Sequence, residues 1–179
     1  MHPISFNRYT RGFVLVCQLA GISLAPVPAT AETKSLRYWI SGGLGICSLG
    51  DMAGNLHAGL QNGAILLSMR TTVNSAGLFD DEFYDTALLL GPSVRHSRWQ
   101  ASIAAGVARV TGSRGSGLNI FASGSARKAI SPRAGLPLEV QLFYHLNSSL
   151  AAGLYGWANL NKVQNWGGIA LNLKLGRLR

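Results

Sequence analysis

From about residue 36 to residue 176 the chain repeats one pattern roughly eight times: a strand-length segment with apolar residues at alternate positions and small or polar residues between them. The clearest case is Leu136-Pro-Leu-Glu-Val-Gln-Leu-Phe-Tyr-His145. Successive side chains of a strand point to opposite faces. Leu136, Leu138, Val140, Leu142 and Tyr144 therefore share one face, and Glu139, Gln141, Phe143 and His145 share the other. Small and charged residues in the role usually given to a packed core constrain the fold strongly. A closed antiparallel barrel in a bilayer turns its apolar face outward to lipid and tolerates a polar interior.

Bulk properties agree with such a barrel. Charged residues are 13% of the chain, against about 25% in soluble domains, and mean hydropathy is +0.20. Residues 1–31 read as a cleaved secretory signal. Arg8 and Arg11 make a positive start, residues 12–25 are apolar, and Ala29-Thr-Ala31 supplies the small residues that signal peptidase accepts. The apolar run is shorter than the roughly 20 residues of a spanning helix. Cys17 follows Val16, where a lipid-attachment site would want a small residue. Residues 32–179 then form one barrel domain with a single cysteine, Cys47, which excludes an internal disulfide. Formal net charge is +9. Arg8 and Arg11 leave with the signal, which carries no acid, so the mature chain is +7. In an exported protein this excess points to phosphorylated lipid headgroups rather than nucleic acid.

Period-2 alternation bounded by turn residues predicts strands over 36–48, 55–61, 64–73, 82–91, 98–110, 136–145, 150–161 and 166–176. The expected connections are 49–54, a tight hairpin at Gln61-Asn62-Gly63, 74–81, 92–97, 111–134 and 146–149. With both ends in the periplasm, the longest connection falls outside the cell, and two of the three inner turns are very short. This is the asymmetry of bacterial outer membrane barrels.

On these segments, and on Gly153-Leu-Tyr-Gly156 and Gly167-Gly-Ile-Ala-Leu-Asn-Leu-Lys-Leu-Gly176, the chain resembles the small eight-stranded outer membrane barrels of the OmpA/OmpX type. The resemblance implies an all-β, up-and-down transmembrane barrel in a bacterial outer membrane. It also implies a monomer inserted by the outer membrane assembly machinery. Such barrels usually end in an aromatic residue. Here the last residues are Gly176-Arg-Leu-Arg179, and Leu175 or Leu178 is the expected substitute.

The inward face carries Arg70, Asp85, Glu139, Gln141, His145 and Lys174, with His57 as polar company. An eight-stranded barrel is only wide enough for its own side chains, so these groups are expected to form a paired polar plug, Arg70 meeting Asp85 or Glu139. The competing readings are a narrow channel and a lipid A-modifying enzyme. The enzyme would need a Ser, a His and an acid at the lipid-facing outer rim. His57 and His145 face inward, and His96 falls in a predicted inner turn. The expectation is therefore a non-catalytic barrel without metal or cofactor, in contact with outer membrane lipids. Arg114, Arg127, Lys128 and Arg133 lie in the longest connection, which has no acid. They are the candidate contact for lipopolysaccharide or another polyanion.

Overall fold

The computed structural model describes residues 36–49, 52–75, 82–114, 128–162 and 164–179. The predicted signal, residues 1–31, lies outside them, as does Arg127. Eight antiparallel strands follow one another in chain order: β1 (Arg37–Cys47), β2 (Met52–Asn62), β3 (Ile65–Ser75), β4 (Glu82–His96), β5 (Trp99–Arg114), β6 (Lys128–His145), β7 (Leu150–Asn161) and β8 (Trp166–Arg177). Each pairs with the next, and β8 pairs with β1 to close the barrel. Tracing partners from Tyr38 through Leu60, Leu67, Leu90, Ala105, Leu138, Ala158 and Gly167 returns to β1 at Ser48, ten residues further along. That stagger tilts the strands against the barrel axis, as closure requires.

The pleat sorts the sequence as its alternation predicts. Leu44, Ile46, Val107 and Leu171 stand outward at 67–72% exposure, while Arg70, Asp85 and Lys174 are wholly buried inside. An exposed belt this apolar is the surface of a protein whose solvent is lipid. Trp99, packed edge-on against Tyr144 at 5.1 Å, and Tyr38 stand at one rim of the belt, the interfacial position that amphipathic rings favour.

Space inside is shared between large and small residues on neighbouring strands. Trp39 pairs with Gly59, and Trp157 pairs with Gly168. A Cβ on either glycine would lie 2.5 Å from the facing indole. Alanine there would force the ring to shift, so glycine is what lets two tryptophans fit the lumen.

Several boundaries differ from the expectation. β4 continues through Pro92 to His96, so His96 is a strand residue and the turn shrinks to Ser97-Arg98, with Ser97 at φ 54°. β2 starts at Met52 rather than 55, and β3 takes in Asn74 and Ser75. In the first inner turn Asn62 pairs with Ile65, which leaves Gly63 and Ala64 at its tip, with Gly63 at φ 59°. The largest change is in the long connection. β5 runs to Arg114 and β6 begins at Lys128, so Arg114, Lys128 and Arg133 belong to strands. Prolines account for two of these differences, the ends of β4 and β6. Proline cannot donate to a ladder, so within sheets it sits at edges or interruptions. Pro92 lies where β4–β5 pairing lapses between Leu90 and Ser93, and Pro137 where β5–β6 pairing lapses between Gly135 and Leu138. Pro132 lies at the register shift between Val110 and Gly112. The strands pass through their prolines by omitting a rung.

If the exposed belt meets hydrocarbon, Leu171→Arg should cost about 2–4 kcal/mol near the midplane. Urea titration of barrels refolded into phospholipid vesicles would show this. Unchanged stability would mean that the Leu171 face does not contact lipid.

Candidate functional site

The lumen is built in three tiers. Toward the rim with the longer connections, Phe83, Tyr155, Trp157 and Trp166 pack with Cys47, Ala53, Val110 and Ala170. Toward the opposite rim, Trp39, Leu66, Phe143, Ala151 and Leu178 form a second apolar layer. Between them lies a polar tier that draws on every strand.

In that tier Arg70 on β3 makes a two-pronged contact with Asp85 on the adjacent β4, Nη2 to Oδ2 at 2.8 Å and Nε to Oδ1 at 3.3 Å. Its Nη1 donates to the Leu138 carbonyl, and Asn159 donates to Asp85 at 2.9 Å. Of the two carboxylates considered for Arg70, the contact is with Asp85. Glu139 is served by neutral donors: Ser68 at 3.0 Å, Gln141 at 2.9 Å and the Tyr155 hydroxyl at 2.7 Å. His57 Nε2 lies 3.5 Å from Glu139, and its Nδ1 lies 3.4 Å from Ser41 Oγ.

Lys174 departs from the expected pairing of opposite charges. Its Nζ donates to Gln141 at 3.2 Å and Gln100 at 3.3 Å, and it sits 3.8 Å above the Phe143 ring and 4.3 Å above the Trp39 ring. Cation–π contact in a desolvated site stabilises an ammonium. Gln141 links it to the nearest carboxylate, since its oxygen accepts from Lys174 while its nitrogen donates to Glu139. One amide dipole thus spans the two charges. His145 joins through Gln100, at 3.2 Å. The structure therefore connects Glu139, Gln141, His145 and Lys174 in one network, and Arg70 and Asp85 in a second just above it.

Alternation alone did not single out Ser41, Ser68, Gln100, Tyr155 or Asn159. All have the inward parity, and a search for uncharged inward donors would have found them. Ser41, His57 and Glu139 approach one another as a nucleophile, base and acid would. Yet all three are at most 3% exposed and enclosed on both sides by the apolar tiers. A substrate would have to pass one of those tiers to reach the serine. Among the described residues, no His, Cys, Asp and Glu side chains gather in a group that could hold a metal ion.

The surface candidates lie elsewhere. Residues 128–134 of β6 pair only with β5, because pairing with β7 begins at Gly135. They form one arm of a hairpin that projects beyond β7. Arg133 is exposed on it opposite Val110, Arg114 pairs with Lys128 along its stem, and Arg109 is exposed one position below Val110. Leu178 points into the lower tier while Leu175 faces outward, so the two leucines proposed to replace a terminal aromatic have different surroundings.

Asp85→Leu alone should cost about 3–5 kcal/mol, since it leaves the Arg70 charge buried without a partner. Arg70→Met combined with Asp85→Leu should recover most of that loss. Denaturant unfolding of both singles and the double gives the coupling, and simple additivity would rule out a direct interaction.

No protein-family model and no curated protein sequence matches the chain. Solved structures do. Neisserial surface protein A (NspA) matches with TM-score 0.58 at 13% identity, covering 80% of this chain and 99% of that one. The N-terminal β-barrel domain of Pseudomonas aeruginosa OprF matches with TM-score 0.60 at 10% identity, covering 78% and 96%. Ail, the attachment invasion locus protein of Yersinia pestis, crystallised with the heparin analogue sucrose octasulfate, matches with TM-score 0.57 at 12% identity, covering 79% and 99%. Likeness at these identities speaks to architecture, and the chain has the fold of the small eight-stranded outer membrane barrels.

Proposed function

We propose that this protein is a non-catalytic outer membrane barrel that binds a polyanion at the cell surface through its β5–β6 hairpin. The observation that carries the reading is the hairpin itself: it projects beyond β7, and the sequence from residue 111 to 134 holds Arg114, Arg127, Lys128 and Arg133 with no acid. Arg133 and Arg109 are exposed there. Clustered guanidinium groups suit sulfate or phosphate esters, which accept paired hydrogen bonds from the planar fork. The Ail structure with sucrose octasulfate lends support, because a barrel of this architecture has been crystallised with a sulfated ligand. The phosphate groups of lipopolysaccharide in the outer leaflet offer the same chemistry.

Two features of the lumen favour this reading over catalysis or conduction. The Ser41, His57 and Glu139 contacts are enclosed, and Trp157, Tyr155, Phe83 and Phe143 fill the passage at 2% exposure or less. A channel needs a continuous wet path, and the apolar tiers oppose one.

The test compares sucrose octasulfate binding by the unaltered barrel with binding by Arg114→Gln/Arg127→Gln/Lys128→Gln/Arg133→Gln across a salt series. Exposed charges are screened over about 8 Å at physiological ionic strength. Affinity of the unaltered barrel should fall as salt rises, and the variant should fold normally but bind weakly at every salt concentration. Identical curves would remove the hairpin from the functional account.

A further inference from the structure

On the outward face the wall has a dent. Ala58 of β2 lies between Ile40 on β1 and Met69 on β3, with Leu60 two residues along its own strand. Its short side chain leaves a groove of about 550 Å³ lined by Tyr38, Ile40, Leu60, Met69 and Leu175. The volume falls within the roughly 300–1,000 Å³ typical of small-molecule sites. Behind the groove the wall is thin, because Gly59 has no side chain and the Trp39 ring closes the lumen directly behind it.

The groove opens toward a cation. Tyr38, on its wall, pairs with Arg177, and Ile40 pairs with Leu175. Arg177 therefore follows Leu175 on the same outward face, two residues or about 7 Å nearer the rim, and it is exposed. This is the rim where β1 begins, β8 ends and the short turns Gly63-Ala64 and Ser97-Arg98 lie. Arg98 and Arg179 are exposed at the same end. The described acidic side chains lie elsewhere: Glu82 starts β4 at the opposite rim, and Asp85 and Glu139 are inside the lumen.

An apolar groove running toward an exposed arginine at the edge of a lipid-facing belt matches one amphiphile in shape and charge. The geometry points to a bound anionic glycerophospholipid of the inner leaflet, with one acyl chain in the Ala58 groove and its phosphate on Arg177. Short turns mark this rim as periplasmic, where the adjoining lipids are phospholipids. Tyr38, 52% exposed, lines the groove and pairs with Arg177, and an amphipathic ring of this kind favours the membrane interface. The inference is independent of the polyanion reading, which concerns the other rim.

The probe is phosphatidylglycerol, with phosphatidylcholine of the same acyl composition as the uncharged comparison. Each is added to the purified full-length barrel in detergent, and retained lipid is counted by native mass spectrometry. One phosphatidylglycerol should be retained per barrel, in preference to phosphatidylcholine. Arg177→Gln should weaken retention about tenfold, the loss of one hydrogen bond to a charged group. Ala58→Trp, which fills the groove, should abolish it. Ala105→Trp, on the outward face of β5 away from the groove, is the control and should retain lipid normally. Equal retention of both lipids would overturn the proposal, as would full retention by Ala58→Trp or equal loss in Ala105→Trp. A dimer of the unaltered barrel that Ala58→Trp dissociates would overturn it too, by assigning the groove to a second copy of this chain.

Discussion

Everything in this barrel follows from the seam between β1 and β8. A bilayer offers no water to an unpaired strand edge, so a spanning sheet must satisfy every backbone group internally. Rungs from Tyr38↔Arg177 to Cys47↔Gly168 meet that demand. Closing eight strands with a ten-residue stagger sets the width of the lumen. That width leaves room for side chains and little else, so the interior must be packed as closely as a soluble core. The pairing of Trp39 with Gly59 and of Trp157 with Gly168 is the local form of this limit. A wider barrel would not need glycine opposite its indoles.

The sorting of residues to two faces was legible in the sequence, since alternation requires only that the strand be extended. Ile65, Leu67 and Met69 outward, with Ser68 and Arg70 inward, could be read without knowing any partner. Strand ends were less legible, because Pro92 and Pro132 look like terminators while the barrel accommodates them at interrupted rungs. Contacts across the lumen were the least legible. That Lys174 on β8 meets Gln100 on β5 depends on the shear accumulated around the ring, and no local pattern encodes it. The neutral members were overlooked for a related reason. Ser68 and Tyr155 become partners of Glu139 only because β3, β6 and β7 are brought to one height.

The polar tier resolves a conflict between packing and charge. Buried charges cost free energy unless they are paired and fully hydrogen-bonded. Arg70 and Asp85 meet that cost within one hairpin, from residues directly linked by short chain. Lys174 and Glu139 meet it at a distance, through Gln141 and two aromatic faces. Both solutions need water excluded, and the apolar layers above and below supply that. The two aromatic clusters of this protein act as lids on a polar middle, the reverse of a soluble domain.

The Arg70–Asp85 pair has a consequence for how the chain selects one alignment among many. Flat, repetitive strands of Leu, Ala and Gly could slide past one another at small cost, because each step exchanges similar side chains. A slip of one residue inverts the faces of a whole strand. If β3 slipped against β4, Arg70 would turn to hydrocarbon, at about 2–4 kcal/mol near the midplane, and Asp85 would stay inside without its partner. The wrong alignment is thus penalised twice, by lipid on one side and by an orphaned carboxylate on the other. The pair is a tooth and notch that holds β3 and β4 in register.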